Sequence, residues 1–113
     1  MTTVDQFLKA LAMVESSDDP EAWGDAGRAM GRWQVHPDRL FGEMATYKIS
    51  PKLGETWDQL VERVLRVFVA RWSPEFSFDE IAQFWHLGHW PLSYPDGWDM
   101  QYASKFEAAL AKA

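Results

Sequence analysis

Three times along this chain a threonine or serine is followed three residues later by a glutamine or glutamate. Each pair opens an apolar stripe at helical spacing: Thr3 with Gln6, Thr56 with Gln59, and Ser77 with Glu80. In such a capping box the hydroxyl accepts the backbone N–H three residues on, and that residue's side chain reaches back to the cap's own N–H, so a helix starts there. After Thr3, the residues Val4, Phe7, Leu8, Leu11 and Ala12 predict a helix over 4–16. After Thr56, the residues Trp57, Leu60, Val61, Val64, Leu65, Phe68 and Trp72 predict one over 57–72, with Glu62, Arg63, Arg66 and Arg71 off the stripe and Pro74 stopping it. After Ser77, the residues Phe78, Ile81, Ala82 and Trp85 share a face up to a Gly88 C-cap. A fourth helix is expected over 99–111, with Tyr102, Ala103, Phe106 and Leu110 on one side. Between the helices, Gly24, Gly27 and Gly31 make 18–37 irregular or short-stranded, with a polar-tipped turn around Asp25 and an end at Pro37. A short helix is expected through 40–45, and Pro91, Pro95 and Gly97 mark a loop over 89–97. The expectation is a mainly α protein of four main helices, with a short β-hairpin after the first and one domain over 1–113.

Charge narrows the function. The net charge is −6, which disfavours a nucleic-acid or anionic-membrane partner, because polyanions are bound largely through Lys and Arg. No apolar run approaches the roughly 20 residues of a membrane helix. The N-terminus lacks a basic stretch followed by a continuous apolar one, so no signal peptide is read and synthesis in the cytoplasm is expected. Without cysteine there is no disulfide and no thiolate metal site. Seven tryptophans in 113 residues serve core packing first, and they also suit stacking on sugar rings.

Glu15 is the residue that asks for an explanation. It stands eleven residues after Val4, close to three full turns, so it projects from the apolar stripe. An ordinary helix-terminal glutamate snorkels to water or pairs with an arginine, here Arg28 or Arg32. On the stripe, a carboxyl loses hydration of its charged form and its pKa rises, which suits a general acid. Asp25, ten residues on, is either a turn residue or a second carboxylate across a cleft from Glu15. Gln34 is either an exposed strand position or an amide that hydrogen-bonds a sugar substituent. His86 and His89 are three apart with no third ligand in view, so no metal is expected.

These residues resemble a known signature. Glu15-Ser16-Ser17, then Pro20 and Ala22, then the run from Gly27 through Gln34 to Pro37, are similar to the E-S, P-x-A and G-x-A-x-G-x-x-Q-x-x-P blocks of soluble lytic transglycosylases and goose-type lysozymes. Ala82 to Gly88 resembles that family's A-x-x-Y-N-x-G, and Tyr102 with Lys105-Phe106 its closing Y-x-x-K-V. The resemblance implies a small lysozyme-like fold that acts as a monomer on the glycan strands of peptidoglycan, with no cofactor and no metal. It implies that Glu15 is the catalytic acid/base and that Gln34, with Trp33 beside it, lines the sugar subsite. Trp85 would stand over the cleft and Tyr102 would close it from behind. His86 replaces the family's asparagine, which makes the hydrogen bond there pH-dependent. Asp25 is kept as a candidate catalytic base. The expected reaction is cleavage of the β-1,4 bond between N-acetylmuramic acid and N-acetylglucosamine. It is hydrolytic if Asp25 positions a water, and yields a 1,6-anhydro end if Glu15 works alone. A phage or prophage enzyme, released to the wall or carried on a virion, fits the missing signal peptide. The rival expectation is a catalytically inactive glycan-binding or phage structural module.

Overall fold

The computed structural model describes residues 2–89 and 96–113; the expected prolines Pro91 and Pro95 of the loop over 89–97 lie outside the described residues. Its described elements are α1 (Val4–Ser16), β1 (Trp23–Gly24), a 3-10 turn (Asp25–Gly27), β2 (Ala29–Met30), α2 (Pro37–Tyr47), α3 (Trp57–Trp72), α4 (Phe78–Leu87) and α5 (Met100–Lys112). The protein is therefore mainly helical with one small antiparallel hairpin, in which Trp23 faces Met30 and Gly24 faces Ala29.

All three capping boxes close in both directions, which fixes the starts of α1, α3 and α4 at Val4, Trp57 and Phe78. α5 begins one residue later than the stripe suggested, because Asp99 is its N-cap and accepts from the Tyr102 N–H. The larger departure is α2. The 40–45 expectation grows to a full helix starting at Pro37, because a proline at the first helical position needs no N–H partner and already holds a helical φ. Only Leu40 and Met44 of α2 are buried, one turn apart, while Phe41 stays exposed, so its apolar signal is thin.

The core forms where α1 meets α3 and α5, and where α5 meets α4. Phe7, Leu11, Val61, Val64, Leu65, Phe68, Ile81 and Phe106 are essentially inaccessible. Phe7 sits between Phe78 and Phe106, with ring centroids 5.2 and 5.6 Å away, and Phe68 meets Trp85 edge-on at 5.0 Å. Burying a side chain of this size contributes about 1.5–3 kcal/mol, so this cluster supplies the main drive to close the helices on one another.

α1 stops at a left-handed turn before Pro20 is reached. Ser17 and Asp18 have φ of 56° and 63°, and their N–H groups bond the Met13 and Ala12 carbonyls, which ends the helix one residue after Glu15. The chain then returns past the end of α1. Gly31 permits this return. Its φ is +81°, and a Cβ there would run into the Asp58 carboxylate and Trp57 at the start of α3. Asp58 accepts the Arg32 N–H, and the Trp57 indole donates to the Met30 carbonyl, so α3 grips the loop directly.

Candidate active site

Glu15 stands half-buried on the last turn of α1. Ser16 clamps the neighbouring wall: its hydroxyl donates to the Arg32 carbonyl at 2.6 Å and accepts the Asp19 N–H at 3.0 Å. This brings 32–36 alongside Glu15. A hollow of about 200 Å³ results, lined by Glu15, Trp33, Gln34, Val35, His36, Arg39, Trp85 and His86. Five of the seven residues singled out from the sequence line this one hollow, though they come from three separate segments of the chain. Tyr102, a sixth, touches its carboxylate.

The ordinary explanation of Glu15 fails in the structure. Arg32 is engaged by Asp18 at 2.9 Å and Asp58 at 3.3 Å, and Arg28 is exposed. The group that meets Glu15 is Tyr102, whose hydroxyl donates to Oε1 at 3.0 Å. Burial raises the Glu15 pKa, opposed by the Tyr102 hydrogen bond and by the nearby His86. The Tyr102 hydroxyl is itself pushed far up by burial and by the Glu15 charge, so it remains a donor at every working pH.

Behind Tyr102 lies a second set of contacts. The His86 ring stacks on the Tyr102 ring, with centroids 3.8 Å apart and planes within 9°. His86 Nε2 lies 2.9 Å from Asp99 Oδ2, while Asp99 Oδ1 accepts the Tyr102 N–H at 3.0 Å. The Tyr102 N–H, then His86, hold the Asp99 carboxyl below its ordinary range. Gln83, only 1% exposed, locks the backbone of Asp99: its amide donates to the Asp99 carbonyl at 2.9 Å and accepts the Asp99 N–H at 3.0 Å. By helical spacing Gln83 stands off the stripe of Phe78, Ile81, Ala82 and Trp85. In the fold it ties α4 to the start of α5.

Four expected roles meet obstacles. Asp25 does not line the hollow. Its side chain is 60% exposed and is paired at 2.9 Å with His36, which does line it. The left-handed backbone at Asp25 and Ala26 turns the tip of the hairpin this way. Gln34 is neither an exposed strand residue nor a free amide. Its φ is +47°, and its NH2 group donates to the Ala22 and Gly31 carbonyls at 3.1 and 2.9 Å, holding the hairpin closed. Trp33 and Trp85 are each 6% exposed, so neither offers an open face to a sugar ring. The Trp33 indole donates to the Leu8 carbonyl inside the core, and Trp85 is covered by Arg39, whose guanidinium carbon is 4.2 Å from the ring centroid.

Arg39, His36 and Asp99 were not singled out from the sequence. Arg39 bonds Glu43 one turn away and so reads as a surface pair, yet it also donates to the Trp85 carbonyl. In sequence Asp99 is the first residue of the expected last helix, and its pairing with His86 is legible only in three dimensions. With His86 engaged by Asp99, no group of three or more His, Cys, Asp or Glu side chains among the described residues converges as a metal site would need. A larger hollow, about 680 Å³, also borders Trp33, between Lys9, Asp18, Arg32, Trp57 and Asp58. Its Arg32 is already paired with Asp18 and Asp58, so the titratable cluster around Glu15 is the better candidate for chemistry. No protein-family model, curated protein or solved structure matches the chain.

Proposed function

We propose that the protein cleaves the glycan strands of peptidoglycan at the β-1,4 bond between N-acetylmuramic acid and N-acetylglucosamine, with Glu15 as general acid. The observation that carries this reading is the environment of Glu15. Its carboxyl is half-buried, its pKa is raised by burial above all, and its described hydrogen-bond donor is a neutral hydroxyl. Such a group keeps its proton closer to neutrality than a surface glutamate does. It faces a hollow beside the wall that carries the signature run from Gly27 to Pro37.

In the cleavage step Glu15 passes its proton to the glycosidic oxygen as positive charge develops at the anomeric carbon. Tyr102 donates to the carboxylate left behind, and stabilises it at the moment it forms. Purified peptidoglycan treated with the wild type and with Glu15→Gln, followed by mass analysis of the soluble fragments, tests the reading. Release of muropeptides by the wild type alone is expected. A silent wild type removes the catalytic reading and leaves the glycan-binding module. Cleavage that survives in Glu15→Gln removes the site.

A further inference from the structure

We infer that His86, oriented by Asp99, is the general base of this reaction and that the attacking group is water. The inference rests on the glycosidase reading above. A hydrolytic glycosidase commonly needs a second acid–base group facing the acid. Asp25, the carboxylate expected for it, is turned out to His36 at the rim. His86 lines the same hollow as Glu15. Its Nε2 is held by Asp99 at 2.9 Å, and its ring is fixed flat against Tyr102. Asp99 is in turn immobilised by Gln83 and by its capping bond to Tyr102. A carboxylate holding one ring nitrogen sets the tautomer and leaves the other nitrogen as acceptor, the arrangement a general base needs.

The step balances without a cofactor. Glu15 gives its proton to the glycosidic oxygen, and the C1–O bond breaks with its electron pair going to that oxygen. The water oxygen bonds to C1 while His86 takes the water's proton, which then returns to Glu15 through solvent. Among the described residues, the groups facing His86 are Asp99 and Tyr102 from the start of α5 and Glu15 from α1, while His36 before α2 and Arg39 within it line the same hollow. Asp99 is a positioning residue: it acts through His86 and does not line the hollow.

The experiment compares kcat/KM against pH and the product ends for wild type, His86→Gln, His86→Ala and His86→Asn, each first checked for a cooperative melt. Wild type is expected to yield reducing ends, with an ascending pH limb. His86→Gln, which keeps hydrogen-bonding capacity toward Asp99, is expected to lose that limb and about 10²–10⁴-fold in rate. Added imidazole is expected to restore hydrolysis to His86→Ala. His86→Asn reinstates the asparagine of the transglycosylase signature and is expected to shift the residual product toward 1,6-anhydro ends. Asp99→Asn, which preserves the cap, should lower kcat with KM held. An active wild type with unchanged rate and pH profile in His86→Gln overturns this inference alone, as do anhydro ends from the wild type. An inactive wild type overturns the glycosidase reading and this one with it.

Discussion

The Glu15→Gln substitution is expected to stabilise the fold at neutral pH while it abolishes cleavage. Glu15 is half-buried with one described hydrogen-bond donor, Tyr102, and among the described residues no arginine forms an ion pair with it. Glutamine has nearly the same volume and keeps an oxygen to accept from Tyr102, but it carries no charge to desolvate. The sign of the pH dependence follows from the pKa. Burial lifts the folded value above the ordinary 4.5, so the native state binds the proton more tightly than the unfolded chain. Stability therefore falls as pH rises from 4.5 through the raised folded value, the reverse of a salt-bridged carboxylate. Above that window the wild type bears the full penalty; below 4.5 it bears none. Stabilising substitutions commonly return about 0.5–2 kcal/mol each. For 113 residues, an unfolding entropy of about 2.1 cal/mol/K per residue converts each kcal/mol into roughly 4 °C of Tm. Calorimetry at neutral pH should then show Glu15→Gln melting about 2–8 °C higher than the wild type, with the gap closing by about pH 3. A lower Tm for the variant at neutral pH, or a gap of equal size in acid, would refute the argument that desolvation dominates at Glu15.

Tyr102→Phe removes the hydroxyl that stabilises the Glu15 carboxylate, so the descending limb of kcat/KM should move to higher pH; a limb that stays in place would mean that Tyr102 does not govern that proton. Ser77→Ala opens the capping box of α4 and should cost about 1 kcal/mol, roughly 4 °C of Tm, with peptidoglycan cleavage at room temperature unchanged. Gly24→Ala places a Cβ against the Gln34 amide oxygen and should loosen the grip of Gln34 on the Ala22 and Gly31 carbonyls. A loss of about 1–3 kcal/mol is expected in a denaturant titration, together with weaker cleavage, and Gln34→Ala should reproduce both.

The helical frame was legible in the amino-acid order, because its signals are local. Three capping boxes and the 3.6-residue stripes set the starts of α1, α3 and α4 and most of the buried faces, since cap, stripe and stop lie within a few turns of one another. The same phase rule placed Glu15 on the apolar side of α1, and the structure leaves it half-buried there. Contacts with partners distant in the chain were not legible in the amino-acid order. Tyr102 reaches Glu15 across 87 positions, Gln83 finds Asp99 across 16, and His86 finds the same Asp99 across 13. Asp25 turns to His36 instead of the hollow because the left-handed backbone of its turn aims it there, a preference that residue type alone does not encode. Gln34 was legible as a special residue but not in its role, since a side-chain amide bonds whichever carbonyls the folded loop brings near. Local periodicity carries one face of one element at a time, and a site assembled from α1, the 32–36 wall, α4 and α5 exists only once the core has closed them on one another.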